Sequence, residues 1–335
     1  MRILLLDQYS DPGGAQQCLL DLLPGFRERG WRVVVGLPGN GKLFELVRAE
    51  GFDVERVNVR ARAGGVVRLA REIRRLARRT GADLLYLNGP RLLPAAALAR
   101  VPTQAVFHSH SYLKPVARAV ARAALQSLVA RVIASCEFVG RQWGPNVPVI
   151  YNGVRCSEIA HRGGRIGCIG RIAVEKGQLE FIDAVRLIHS EAPDSRFAIY
   201  GAALFSGVDY ERRVRTAAKG LPIEFRGWVD DVYQALAELD LLLVPSTGPE
   251  ATTRVILEAY AAGVPVIAFP SGGIPEVVDH GRTGFLAKSA AEMAQLAVNL
   301  MRGDRRPIIQ AAHERWRRDF TLERYRQQVL DFLVK

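Results

Sequence analysis

Residues 241–267, LLLVPSTGPEATTRVILEAYAAGVPVI, constrain the fold more than any other stretch. Apolar residues run from Leu241 to Val244, the segment Pro245-Ser246-Thr247-Gly248-Pro249 breaks the run, a helical pattern starts near Ala251, and a second apolar run covers 264–269. That order reads as strand, loop, helix, strand: one βαβ unit. Glu250 closes the loop and Glu258 follows eight residues later, a little over two helical turns, which predicts both carboxylates on one face. A helix start offers unpaired N–H groups and the positive end of a dipole, suited to an anion such as a diphosphate. The anion would repel carboxylates, so their expected partners are hydroxyls of the same ligand. Sugar hydroxyls plus phosphate is the ligand chemistry implied. The plainer alternative makes Glu250 a first-turn dipole partner and Glu258 a solvated helix residue.

The same alternation extends through the chain. Apolar runs near 1–6, 31–37, 54–59, 83–87, 105–107 and 132–134 are separated by helical stretches, and a second series follows at 166–169, 196–200 and 223–226. Strands alternating with helices predict parallel sheets covered on both faces, with ligands at the carboxyl ends of the strands. A chain of 335 residues exceeds one ordinary core, and Asn152-Gly153 ends a proline-bounded run near mid-chain. The expected domains are therefore 1–152, 153–312 and a terminal helical segment, 313–335. The opening MRILLLDQYS is shorter than a signal-peptide core, and no window approaches the roughly 18 uncharged apolar residues of a spanning helix. A soluble cytoplasmic protein is expected. Cys18, Cys136, Cys156 and Cys168 form no metal-binding spacing and read as small buried residues in a reducing compartment.

Charge is unevenly shared. Residues 1–150 carry 22 Lys and Arg against 11 Asp and Glu, residues 151–335 carry 24 against 23, and the net is +12. Arginines Arg60, Arg62, Arg68, Arg71, Arg74, Arg75, Arg78 and Arg79 face only one acid, Glu72, and Val66, Leu69, Ile73 and Leu76 recur among them at helical spacing. An amphipathic basic helix over 60–79 is predicted, able to lie on an anionic membrane at the inner face, or else simply to turn its arginines to water. Nucleic acid is not expected, because no aromatic residues interleave the arginines to stack on bases.

Several strand-end segments carry chemistry. Ser10 to Gln16 holds the glycine pair Gly13-Gly14 leading into a helix, which lets backbone approach a ligand. His108 and His110 end a strand in FHSHSY, and a histidine there can meet a substrate hydroxyl or be a packed residue with a satisfied hydrogen bond. Arg171 and Lys176 lie five apart in the loop Gly170 to Gly177 and can converge on a pair of phosphates, Arg as a fork and Lys as a point charge.

Taken in order, the glycine pair, His108, Asn152-Gly153-Val154, Gly170-Arg171 with Lys176-Gly177, Glu250 with Glu258, Gly263-Val264-Pro265 and Gly272-Gly273-Ile274-Pro275-Glu276 resemble the retaining GT-B glycosyltransferases of family 4 over essentially the whole chain. The resemblance implies two Rossmann-like, doubly wound parallel-sheet domains facing across a cleft, with a nucleotide-sugar donor, UDP-sugar favoured, on the second domain and a glycan or lipid-linked acceptor on the first. It implies that Glu258 holds the ribose hydroxyls, that Arg171 and Lys176 hold the diphosphate, that Glu250 and His108 meet the transferred sugar, and that Gly14 approaches the phosphate. It places the base near Trp228. Thr252 and Thr253 stand where the family commonly has Phe-Gly, and Ala15-Gln16 where an acid often follows the glycines, so these positions depart from the pattern. No DxD motif or His/carboxylate cluster is evident, so no metal is expected and protein cations would neutralise the leaving phosphate. The rival expectations are another GT-B activity, phosphorylase or sugar-nucleotide epimerase, and a membrane-docked binding partner without turnover.

Overall fold

The structure is a computed structural model describing residues 1–58, 64–203 and 208–335. Arg60 and Arg62 of the expected basic helix lie outside the described residues. The chain divides into two compact units, one of residues 1–152 with 322–335, the other of residues 153–321.

The first unit runs β1 (Arg2–Asp7), α1 (Gly14–Glu28), β2 (Arg32–Leu37), α2 (Lys42–Ala49), β3 (Asp53–Arg56), α3 (Gly65–Thr80), β4 (Leu84–Asn88), α4 (Leu93–Ala99), β5 (Gln104–Ser109), α5 (Pro115–Leu128), β6 (Arg131–Ala134) and α6 (Glu137–Gly140). Its sheet has the order β3-β2-β1-β4-β5-β6 and every recorded pairing is parallel. Strands buried on both faces explain why Ile3 to Leu6 and Leu84 to Leu87 read as unbroken apolar runs rather than as alternation. One face of the sheet packs with α1 and the other with α3, α4 and α5.

The second unit runs β7 (Arg165–Ile169), α7 (Gln178–Glu191), β8 (Phe197–Tyr200), α8 (Val208–Ala217), β9 (Ile223–Gly227), α9 (Val232–Leu236), β10 (Leu239–Val244), α10 (Arg254–Ala262), β11 (Val266–Ala268), α11 (Ile274–Val277), β12 (Phe285–Leu286), α12 (Ala290–Arg302) and α13 (Arg306–Asp319). Its sheet order, β12-β11-β10-β7-β8-β9, repeats the first: two strands wind one way from the first strand and three the other. Each unit is thus a Rossmann-like doubly wound sheet.

The expected terminal segment 313–335 is two helices with different homes. α13 stays with the second unit, where Trp316 Nε1 donates to Val154 O at 3.2 Å. The helix stops because Phe320 leaves helical geometry at φ −129° and Thr321 bridges to Val154. The following helix α14 (Leu322–Val334) packs Tyr325, Val329, Leu330 and Leu333 into the first unit's core. Of the four cysteines, Cys18, Cys136 and Cys168 are buried as expected, while Cys156 is exposed.

Candidate functional site

In the second unit strand order reverses between β7 and β10, so the loops leaving these neighbours border the crevice in which such sheets take ligands. Loop 170–177 carries Arg171 and Lys176, and loop 245–253 carries Glu250, Thr252 and Thr253. The backbone ties them together, with Thr247 N–H and Gly248 N–H donating to Glu175 O at 3.1 and 3.2 Å. Gly177 has φ +71°, and a Cβ there would collide with Pro245 O, so only glycine lets the loops approach this closely. Gln178, fully buried, braces the first loop by donating through Nε2 to Arg171 O at 2.9 Å.

Lys176 Nζ donates to Glu250 Oε1 at 2.6 Å, with side chains 24% and 14% exposed. Arg171 Nη2 donates to Glu175 Oε1 at 2.7 Å. Each cation expected at a diphosphate therefore holds a carboxylate in this structure. The ammonium has three donors and can keep Glu250 while taking a phosphate oxygen.

Glu258 lies on α10, and its Oε1 accepts from Arg254 Nε at 3.1 Å; Arg254 Nη1 also donates to Gly153 O at 3.1 Å. α10 begins at Arg254 rather than near Ala251, and Glu250 lies in the loop before it. Glu250 is instead held through the 271–273 turn: Gly273 N–H donates to Glu250 O at 3.0 Å, and Gly272, φ +58°, presses against the Glu250 backbone where a Cβ would clash. Thr253 is the N-cap residue of α10 but makes no side-chain cap, and the Thr252 and Thr253 hydroxyl oxygens are buried without a hydrogen-bond partner. Trp228 follows β9 at the edge of the sheet, 42% exposed, two strands or about 10 Å from β7. It is not brought into contact with the ion-paired residues by any recorded hydrogen bond.

The first unit has its own reversal, between β1 and β4. Gly13 is the N-cap of α1, and Gly14 is exposed with nothing within 4 Å of a Cβ built on it, so packing does not demand glycine at 14. Behind this turn Asp7 is fully buried and paired in register with Asn88. Its Oδ1 accepts from Tyr9 N at 2.8 Å and Gln16 Nε2 at 3.0 Å, and its Oδ2 accepts from Asn88 Nδ2 at 2.6 Å. Burial pushes the Asp7 carboxyl up to about 6, against the pull of these hydrogen bonds. Gln16, standing where an acid was expected, thus serves as an amide donor to a buried carboxylate.

His108, expected to meet the transferred sugar, is packed within the first unit with its Nε2 left without a hydrogen-bond partner. His108 is 1% exposed, its Nδ1 lies 2.6 Å from Tyr86 Oη, and the His110 ring covers it at 3.9 Å between centroids. Burial holds its pKa well below the usual histidine range, so it is a neutral packed imidazole.

Sequence reasoning missed Arg254, Gln178, Asp7 and Asn88. Arg254 had a signal, its i,i+4 spacing to Glu258. Asp7 and Asn88 had none, since residues 81 apart meet only through sheet register. Among the described residues no group of three or more His, Cys, Asp or Glu could hold a metal ion, and no helix is long and apolar enough to cross a membrane.

Residues 12–158 match the family model described as Glycosyltransferase Family 4, and residues 163–303 match the model described as Glycosyl transferases group 1. The phosphatidyl-myo-inositol mannosyltransferase of Mycobacterium leprae (strain TN) is 29% identical over 342 residues, covering 91% of this chain and 88% of that protein. The sulfoquinovosyl transferase SQD2 of Arabidopsis thaliana is 32% identical over 123 residues, 35% of this chain, and the match spans only 22% of that protein's length. Among solved structures, Anabaena Alr3699/HepE in complex with UDP-glucose superposes with a TM-score of 0.88 at 28% identity, covering 100% of this chain and 99% of that one.

Proposed function

We propose, of a chain that belongs to the group 1, family 4 glycosyltransferases, that it moves a sugar from a UDP-sugar to a glycan or lipid-linked acceptor, with retention at the anomeric carbon and without a metal ion. The observation that carries this reading is the gathering of Arg171, Lys176 and Glu250 on the joined loops after β7 and β10, beside the start of the helix that bears Glu258. Whole-chain likeness to a structure holding UDP-glucose supports the choice of donor.

In this reading Arg171, Lys176 and the first N–H groups of α10 take the diphosphate, Glu258 takes the ribose hydroxyls, and Glu250 takes hydroxyls of the sugar. Trp228 stands near the base. The bond from the anomeric carbon to the diphosphate oxygen breaks while the acceptor oxygen bonds to the same face of that carbon. The acceptor's proton passes to the leaving phosphate. Negative charge grows on that phosphate, where the cations and helix-end donors lower the barrier; losing one such donor costs about 10²- to 10³-fold in rate.

The acceptor is assigned to the first unit and, when lipid-linked, to a chain docked on an anionic membrane through α3. Arg68, Arg71, Arg75 and Arg78 point to solvent there, with Val66 and Val67 also exposed. Arg74 instead donates to Ala99 O at 2.6 Å, and Arg79 pairs with Glu55, so these two hold the fold.

The test is nucleotide release from UDP-, GDP- and ADP-sugars, with and without glycan and lipid acceptors. UDP release that Glu250→Gln or Lys176→Ala abolishes is expected. Tight nucleotide binding with no release under any acceptor condition would overturn the reading in favour of a binding partner.

A further inference from the structure

Arg254 is absent from the reaction scheme above, although its guanidinium holds the carboxylate there assigned to ribose. Its Nε donates to Glu258 Oε1 and its Nη1 to Gly153 O, both at 3.1 Å. With side chains 13% and 10% exposed, the ion pair sits where water screens it little, yet it keeps an edge toward solvent.

Helix physics gives no reason for a cation at this position. Arg254 is the first residue of α10, at the positive end of its dipole, and no acid stands in that first turn to offset it. The pair also runs in the less favourable order, because an acid four residues before a base supports a helix better than the reverse. What the position supplies is a partner for Glu258. The residues around that carboxylate on α10 are buried and apolar, Val255, Ile256, Leu257, Ala259 and Tyr260 each being at most 8% exposed, so a charge among them is costly without one.

Gly153 gives the pairing a direction. The next residue, Val154, is pinned, its N–H donating to Phe320 O at 3.0 Å and its carbonyl accepting from Trp316 Nε1 at 3.2 Å. The Gly153 carbonyl thus has a fixed place, and a guanidinium that spans it and Glu258 is held at both ends. A carboxylate offers about four acceptor sites, so an oxygen that accepts from Arg254 still takes a hydroxyl.

We infer that Arg254 is a positioning residue which, braced on Gly153, fixes the Glu258 carboxylate for the vicinal hydroxyls of ribose and so sets the preference for a ribonucleotide over one that lacks them. The inference rests on the proposed reading that Glu258 takes the ribose.

Calorimetric titration of the full chain with UDP and with 2′,3′-dideoxy-UDP tests it. Wild type is expected to bind UDP about 10- to 100-fold more tightly, the worth of hydrogen bonds to a charged group. Glu258→Gln is expected to remove most of that preference. Arg254→Leu and Arg254→Lys should do the same, Lys because it keeps the charge but has no fork to span Gly153 and Glu258 together. In all three variants the affinity for dideoxy-UDP stays at the wild-type value, which a merely damaged fold would not allow, and Arg254→Lys carries the test if Arg254→Leu does not fold. A wild-type preference retained in Arg254→Lys overturns the two-point holding. So does an equal loss of affinity for both nucleotides. Preference lost in Glu258→Gln but kept in both Arg254 variants overturns the inference and leaves the ribose reading standing. No preference in wild type itself sinks the ribose reading, and the inference with it.

Discussion

The Thr252 hydroxyl is buried and unpartnered in a residue only 3% exposed, two positions after Glu250. An unsatisfied buried donor costs about 1–3 kcal/mol, so its persistence beside a ligand loop points to a partner that comes with the ligand. Thr252→Val is expected to stabilise the ligand-free chain by about that amount in urea unfolding. It is also expected to weaken UDP-glucose relative to UDP in calorimetric titrations. A less stable variant with unaltered binding would refute this. Asp7 makes a pH prediction. Its carboxyl titrates near 6 when folded, against an ordinary 3.8. A proton held more tightly by the folded state stabilises it, so the contribution of Asp7 is fully present below the unfolded value and is lost as pH rises through about 6. Wild type should therefore gain on Asp7→Asn as pH falls from about 6 to about 4, read from urea midpoints of both proteins. A pH-independent difference would show that Asp7 does not carry this shift.

At the scale of elements, α3 tests whether charge at a surface has a destination. Its apolar stripe, Leu69, Ile73 and Leu76, is buried against the sheet, and Gly81 at φ +58° ends it in the left-handed region. The arginines on the outer side are surplus to that packing. Reversing Arg71, Arg75 and Arg78 to Glu is expected to abolish cosedimentation with vesicles rich in anionic lipid while leaving the melting temperature within a few degrees. Wild-type binding should weaken with salt as screening shortens the reach of each charge. Arg74→Glu should instead destabilise the chain, since its guanidinium caps carbonyls at the end of α4. Equal cosedimentation by wild type and the triple variant would remove the membrane assignment.

For the molecule as a whole, α14 shows how a fold is completed by sequence far from its core. Tyr325, Val329, Leu330 and Leu333 are each at most 4% exposed within the first unit. Burying such side chains contributes about 1.5–3 kcal/mol each, which together rivals the roughly 5–15 kcal/mol that keeps a domain folded. A chain ending at Thr321 is expected to lose the calorimetric transition of the first unit while UDP still raises that of the second; two intact transitions would contradict this. The alternation of apolar runs with helical stretches made both sheets legible in the residues themselves, because a strand buried on two faces has to be apolar throughout. The strand-end segments Gly13-Gly14, Arg171 to Gly177 and Glu250 were legible for a similar reason: turns and charge at strand ends serve little in packing. What the sequence could not supply was every relation set by register or by the meeting of loops. His108 and His110 look alike in a string, and only sheet position buries one beneath the other. Lys176 finds Glu250 and Asp7 finds Asn88 because folding brings distant backbone within hydrogen-bond reach. Local composition therefore determined the elements and their order, while the tertiary structure alone decided which polar groups face one another, since hydrogen bonds and ion pairs depend on distances that adjacency in the chain does not encode.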